Sequence, residues 1–368
     1  MAASEKSAYL FLSLLQASVG SSVVSRLRDL PPAAVLQTPS GELAVRTEMT
    51  QRAVQVLEEL RRDFDPQALY GSLSRRGISV LTLEDAGYPE RLKEIPDPPP
   101  ALFVSGSVPG TTAVALVGSR KASATGIEAA RTLGRALGER GVCVVSGLAL
   151  GVDAAAHEGA LQAGGPTVGV LGCGIDVVYP RTNRGLFEGV RGNGALVSEY
   201  YLGEAPLAWR FPARNRIIAG LCDAVVVIEA PQKSGALITA RHALECGREV
   251  WAVPGPLGVP ECQGSNRLLA DGAGVLWDVP EFVDAYAQRA VGTVAGAGSP
   301  GDSLVPAGLP ETEATVLSGV GFEPTQVDVV AGRSGIEMRQ LLPALTLLEL
   351  KGYVVRDPDG AFVRRTSL

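Results

Sequence analysis

The spacing of apolar positions changes twice along the chain, and each change marks a new kind of structure. Up to about residue 80 the apolar residues recur at helical intervals: Leu10, Leu12, Leu14 and Leu15, then Val23, Val24, Leu27 and Leu30, then Ala53, Val54, Val56, Leu57 and Leu60. This period predicts a small helical packing segment, with Val19-Gly20-Ser21-Ser22 as a tight helix–helix turn of the helix-hairpin-helix kind. The run Ile95-Pro96-Asp97-Pro98-Pro99-Pro100 then interrupts regular structure, because consecutive prolines remove donors and impose extended backbone. After it, unbroken apolar runs (Ala113–Val117, Val142–Val145, Thr167–Leu171, Ala224–Ile228 and Glu249–Val253) alternate with helical stretches at about 125–140, 152–163, 183–191, 213–221 and 235–246. Continuous apolar strands separated by helices predict a doubly wound α/β domain, a parallel sheet covered on both faces. Val291–Pro306 is a small-residue linker. The last 60 or so residues read as three helices and a hairpin, which is the winged-helix pattern. The third helix lies around Met338–Leu350, where Pro343 fits only near the first turn, and Arg356-Asp357-Pro358-Asp359-Gly360 is the hairpin turn.

Composition narrows the class. The 368 residues suffice for two or three domains, and a 46% hydrophobic content excludes disorder as the main state. Glycine reaches 44 residues without a G-X-Y period, so the excess belongs to turns, tight packing or ligand loops. With 33 basic and 39 acidic residues, the chain does not coat duplex DNA by bulk positive charge, although a local basic site remains compatible. Residues 1–87 are nearly neutral, whereas residues 205–248 hold six basic residues against three acidic ones. Five cysteines with no CxxC pair suit a reducing compartment. No apolar run approaches the roughly 18–20 residues of a membrane span. The short apolar stretch Tyr9–Leu15 lacks a basic n-region, and the expectation is a cytoplasmic protein with no membrane partner.

In an open parallel sheet, ligands bind beyond the carboxyl ends of the strands, so the strand-to-helix loops carry the candidate chemistry. Val117-Gly118-Ser119-Arg120 follows the first strand; it is either a tight turn or an anion loop, with Arg120 a forked donor suited to phosphate. Ser146-Gly147-Leu148-Ala149-Leu150-Gly151-Val152-Asp153 follows the second, with His157 one helical turn beyond Asp153. Neither His242 nor the scattered cysteines complete a metal set, so this loop reads as an anion or backbone cradle braced by Asp153. Leu171-Gly172-Cys173-Gly174 lacks the third glycine of the dinucleotide fingerprint, and no GxxxxGK[ST] occurs, which excludes a P-loop NTPase. Phe211-Pro212-Ala213-Arg214-Asn215-Arg216 opens a helix beside Trp209 and joins phosphate donors to stacking rings, the pairing single-stranded nucleic acid needs. Ser234-Gly235-Ala236-Leu237-Ile238-Thr239 opens another helix, where Ser234 suits either a plain cap or a phosphate contact. The loop glycines Gly118, Gly147, Gly151, Gly172, Gly174 and Gly235 all fall on one edge of the expected sheet.

Taken in order, Tyr88-Pro89, Pro98-Pro99, VGSR at 117–120, SGLALGVDAAAH at 146–157, Gly172–Pro180, FPARNRIIAGL at 211–221, SGALITA at 234–240 and AVPGP at 252–256 closely resemble the bacterial DNA-processing protein A (DprA/Smf) family, over roughly residues 86–275. The resemblance implies an extended Rossmann-like domain over 86–290, flanked by a SAM-like helical domain over 1–85 and, after the linker at 291–306, a winged helix over 307–368. It also implies a non-enzymatic protein that binds and protects single-stranded DNA, loads the RecA recombinase during natural transformation, and works as a homodimer or higher assembly without a cofactor. Carried over by motif, Arg120, Phe211, Arg214, Asn215 and Arg216 would contact the strand, with Ser119, Gly147, Ser234, Gly235 and Thr239 as further contacts.

Residues 304–368 hold eight acidic and six basic residues, which favours a protein-interaction or regulatory role for the winged helix over duplex binding, with Arg364 and Arg365 as the alternative DNA contact. Two enzymatic readings compete with the resemblance. A nucleoside-monophosphate hydrolase of the lysine-decarboxylase-like group needs a PGGxGTxxE motif, whose nearest match, Ser234–His242, has His242 at the glutamate position and Ala236 and Ile238 in place of glycines. An NAD-type oxidoreductase rests on Gly172-x-Gly174 alone.

Overall fold

The computed structural model describes residues 5–294, 309–320, 325–356 and 361–364. Met1–Val294 form one compact unit and Ala295–Leu368 a second.

The opening helical period yields six helices, from α1 (Glu5–Val19) to α6 (Pro66–Ser74). Gly20 makes the turn after α1 at φ 94°, a conformation that residues with a Cβ rarely adopt. Phe11, Leu15, Leu27, Leu43 and Leu57 close a core among these helices. Leu10, on the same α1, packs instead with Phe103 and Leu196 of the sheet. The expected boundary at residue 85 therefore falls inside one compact unit.

Nine strands make one sheet: β1 (Ile78–Thr82), β2 (Ala101–Gly106), β3 (Ala113–Val117), β4 (Cys143–Ser146), β5 (Thr167–Leu171), β6 (Gly194–Ser198), β7 (Ala224–Val227), β8 (Glu249–Ala252) and β9 (Gly274–Val275). Their spatial order is β1-β2-β6-β5-β4-β3-β7-β8-β9. β6 through β9 pair in parallel, whereas β2 joins β6, and β1 joins β2, antiparallel. The sheet is thus mostly parallel, with an antiparallel edge that the apolar runs do not reveal. β6 also escapes the pattern, because its apolar core is only Ala195-Leu196-Val197 and follows directly on a helix that ends at Asn193.

Helices α7 (Glu90–Lys93), α8 (Ala124–Glu139), α9 (Val152–Gln162), α10 (Arg184–Asn193), α11 (Arg210–Gly220), α12 (Gly235–Glu245), α13 (Gln263–Ala270) and α14 (Val279–Val294) complete this unit. Alternation along β3 decides which helix goes where. Ala115 and Val117 face Ile217 and Ile218 of α11 and Ala236 and Ala240 of α12. Val114 and Leu116 face Leu133 and Leu137 of α8, Ala155 of α9 and Phe282 of α14. The helices α8 and α9 approach so closely that a Cβ on Gly159 would strike the Arg131 backbone, so part of the glycine excess serves helix contact rather than ligand loops.

The second unit has α15 (Glu311–Gly319), α16 (Val327–Ser334), α17 (Met338–Leu350) and the antiparallel pair β10 (Val354–Arg356) and β11 (Phe362–Arg364), the winged-helix pattern read from the sequence. Leu317, Val330, Leu341, Leu345 and Phe362 form its core. Pro343 stands in the second turn of α17, not near the first, on the exposed face where water reaches the carbonyl that lacks a donor. α14 runs four residues into the expected linker at 291–306; the rest of that linker, and residues 357–360 of the expected hairpin turn, lie outside the described residues.

His157 of α9 is fully buried, its Nδ1 2.7 Å from Thr167 Oγ1. That hydroxyl donates to the Val144 carbonyl, so the ring donates to it from Nδ1. Burial, reinforced by the charge of Arg214, pushes the His157 pKa down to about 3. The folded value lies below the unfolded one, so its contribution to stability is full above about pH 6.5 and is lost as pH falls toward 3. Between about pH 7 and pH 5 the wild type should lose about 2 kcal/mol more stability than His157→Gln. Urea unfolding followed by tryptophan fluorescence measures this, since Trp209, Trp251 and Trp277 all lie in the first unit.

Candidate functional site

The chain reverses its progress across the sheet at β3. β4, β5 and β6 follow on one side, and β7, β8 and β9 lie on the other. At such a switch point the loops leaving adjacent strands diverge and open a crevice beyond their carboxyl ends. Here that crevice is a cleft of about 640 Å³. Eight expected site residues line it: Ser119 and Arg120 after β3, Phe211, Arg214 and Asn215 on α11, and Ser234, Gly235 and Thr239 around the start of α12. Gly147 and Arg216 do not line it.

Gly147 works beneath the surface. Its N–H donates to Asp153 Oδ2 at 3.1 Å, and its carbonyl accepts from Arg214 Nη1 at 3.0 Å. A Cβ at this position would stand 2.5 Å from Arg214 Nη2 and 2.7 Å from Asp153 Oδ2, so a side chain would displace one of them. Arg214 also donates to the Val170 carbonyl, and its Nε donates to Asn215 Oδ1 at 3.2 Å. Burial lowers the Arg214 pKa and raises that of Asp153; each charge partly restores the other, and the N–H groups of Gly147 and Ala149 steady the carboxylate. Asp153, expected to cap or brace the start of α9, instead braces the preceding loop through the N–H groups of Gly147 and Ala149.

Two expected phosphate contacts are corrected by this geometry. Arg214 borders the cleft but directs its donors inward to backbone carbonyls, and only 4% of it is exposed. Arg216 is turned into the protein, where Nη1 and Nη2 grip Glu199 at 2.9 and 2.7 Å and Nε reaches the Asp97 carbonyl at 2.9 Å. Burial opposes that charge, but Glu199 and Asp97 outweigh it and hold the Arg216 pKa above its ordinary value. Ser234 is a helix cap that accepts from Ala236 N at 3.2 Å, and Ser119 Oγ accepts from Lys121 N at 3.1 Å. Asn215 ties α11 to α12 through Gly235 O at 3.1 Å.

The exposed cations of the cleft come from elsewhere. Arg120 lies 5.3 Å above the Phe211 ring, which stands 5.4 Å from the Tyr179 ring. Lys121 and Lys233 stand exposed at the rim, and Arg181 and Arg184, which follow Tyr179 in the chain, are exposed without lining the cleft. None of these five cations has a carboxylate partner among the described residues. Sequence reasoning did not single out Lys121, Arg181 or Arg184, named Tyr179 only as the close of the glycine loop after β5, and counted Lys233 only as part of a charged strip. Their signal was position: Lys121 directly follows the VGSR loop, and the other three follow the glycines after β5. Two acids line the cleft, the exposed Glu261 and the buried Asp153, and no group of three or more potential metal ligands occurs among the described residues.

Comparison with known proteins adds to this geometry. The family model for DNA recombination-mediator protein A matches residues 79–287, and that for the DprA winged helix domain matches 301–360. The chain belongs to the DNA recombination-mediator protein A family. Protein Smf of Escherichia coli is 40% identical over 304 residues, covering 78% of this chain and 80% of that protein. Protein Smf of Synechocystis is 34% identical over 340 residues, covering 83% and 85%. The crystal structure of DNA processing protein A from Streptococcus pneumoniae superposes with a TM-score of 0.65 at 33% identity, covering 76% of this chain and 98% of that one. A DNA processing protein A from Helicobacter pylori, whose structure was described for its single-stranded DNA binding mode, superposes with a TM-score of 0.52 at 32% identity, covering 57% and 96%. A role in DNA recombination follows from the family, and β2 of the antiparallel edge and the three helices α15 to α17 of the winged helix fall within the matched regions.

Gly147→Ala should destabilise the protein by about 1–3 kcal/mol, because the added methyl must push aside a buried guanidinium or carboxylate. Urea unfolding measures the loss; an unchanged midpoint would show that the cleft floor can rearrange.

Proposed function

We propose that the chain binds single-stranded DNA across the cleft at the switch point, as a recombination mediator rather than an enzyme. The observation that carries this reading is the rim itself: Arg120, Lys121 and Lys233, free of carboxylate partners, surround the rings of Phe211 and Tyr179 in one open cleft. Backbone-tracking cations with stacking rings are what an unpaired strand requires, and each stacked base contributes roughly 1–3 kcal/mol. The Helicobacter pylori relative supports the same ligand class. Ser119, Gly235, Asn215 and Thr239 offer polar edges from which a strand can be held, while Gly147, Arg214 and Arg216 keep the cleft in shape.

Hydrolysis of a nucleotide finds little support. The buried carboxylate of the site, Asp153, is committed to two backbone N–H groups, and His242 pairs with Glu245 on the surface of α12. By family likeness the bound strand is protected from nucleases and passed to RecA by a homodimer or larger assembly. The winged helix, acidic overall, suits a protein-facing or regulatory role: Leu342 and Leu350 are exposed on α17. The side chains of Arg364 and Arg365, the alternative DNA contact, lie outside the described residues.

Fluorescence anisotropy with labelled oligo-dT tests the reading. Affinity should fall with salt at a slope of about −0.7 for each phosphate engaged. Arg120→Glu should weaken binding at least about tenfold and flatten that slope by about one phosphate, with a smaller loss for Lys233→Glu. Equal affinity of Arg120→Glu and wild type, or release of base from AMP by the wild type, would overturn the assignment.

A further inference from the structure

A second buried polar cluster joins α1 to α11. Glu199, just beyond β6 and 4% exposed, accepts from both terminal nitrogens of Arg216 and from Gln16 Nε2 at 2.7 Å. Its backbone carbonyl accepts from Ser13 Oγ at 3.3 Å. One turn of α1 thus meets this carboxylate, and the end of that turn reaches α11 again, where Arg210 donates to the Ala17 carbonyl at 3.3 Å and pairs with Glu204 at 2.8 Å. The two anchors on α11, residues 210 and 216, bracket Phe211, Arg214 and Asn215, the cleft-lining residues of that helix.

We propose that Gln16 is a positioning residue for the cleft: through Glu199 and Arg216 the N-terminal helix fixes the seat of α11 and hence the presentation of Phe211, Arg214 and Asn215. The proposal rests on the cleft being the single-stranded DNA site. It makes the N-terminal helices part of the binding machinery without any contact to DNA. A carboxylate held by three donors keeps one orientation; removing the amide leaves Glu199 Oε2 buried with Arg216 Nη2 as its remaining donor of the three, so the carboxylate can turn and carry Arg216 with it toward Asp97, which already lies 3.3 Å from its Nε. The groups that face Glu199 are Arg216 on α11, Gln16 on α1, Tyr200 beside it in the chain and Tyr88, with Asp97 and its partner Arg28 behind Arg216.

Full-length wild type, Gln16→Leu, Gln16→Glu and Arg120→Glu are compared by oligo-dT anisotropy at about pH 5.5 and about pH 8, with the folded fraction checked by tryptophan fluorescence. Gln16→Leu should bind about five- to tenfold more weakly at both pH values with an unchanged salt slope, because no phosphate contact is lost. Gln16→Glu sets two carboxylates in one site, which share a proton at low pH and repel when both ionise. It should bind nearly as wild type at about pH 5.5 and as weakly as Gln16→Leu at about pH 8, a pH dependence that neither wild type nor Arg120→Glu displays. If both Gln16 variants match wild type at both pH values while Arg120→Glu is weakened, the proposal is overturned. It is equally overturned if their loss of affinity equals their loss of folded protein. If wild type fails to bind or Arg120→Glu matches it, the reading of the cleft itself falls.

Discussion

A single buried guanidinium holds the cleft together. Arg214 reaches from α11 to the carbonyls that end β4 and β5, while Asp153 supplies the opposing charge from the start of α9. Taking a charge out of water costs several kcal/mol, and the arrangement survives only because the donors of Arg214 meet carbonyl and amide oxygens and the acceptor of Asp153 meets backbone N–H groups. The neighbouring loops are fastened in the same manner: Ser119 N donates to Glu229 O, Val152 N donates to Ser119 O, and the Glu229 carboxylate accepts from Ser123 at the start of α8. The floor is therefore set before any ligand arrives, and binding need not bear the cost of ordering it.

Charge summed along a segment proved a poor guide to charge displayed at a surface. Of the six basic residues between 205 and 248, Arg210, Arg216, Arg241 and Arg248 are matched by Glu204, Glu199, Glu245 and Glu94, and Arg214 is buried against carbonyls. Lys233 is the member left to the rim. The exposed cations of the cleft come from the loops after β3 and β7, with the Tyr179 ring from the loop after β5, so no window along the chain contains them. Burial sorts arginines into two kinds that look alike in sequence: those that satisfy the protein's own carbonyls and carboxylates, and those that remain available.

The parallel strands β3, β4, β5, β7 and β8, the helices α8 to α12 and the winged-helix order were legible because their apolar runs and periods are clean, whereas α13 and the two-residue β9 were not. Nor was the antiparallel edge, since β1 and β2 lie on either side of a proline-rich stretch that hides their pairing, and β6 has only three apolar residues and starts directly where α10 ends. The loops after β3, β4 and β7 were located correctly from where strands end. What could not be read was direction: Arg214 and Arg216 stand two apart on one helix and both face inward, one to the strand ends and one to Glu199, a partner that nothing local in the sequence announces.

The pairing of Gln16 with Glu199 also spans 183 residues, and β2 waits for β6 across about half that stretch, with Phe103 opposite Ser198. Chains are made from the amino end at roughly 5–20 residues per second, so the first helices emerge many seconds before the carboxylate they lean on. They can form among themselves early, since Phe11, Leu15, Leu43 and Leu57 are close in sequence. The polar face of α1 stays wet until residue 199 has left the ribosome. The β1–β2 pair thus keeps an open edge until β6 has been made, and the sheet is completed later still on its far side, where β7, β8 and β9 add to β3.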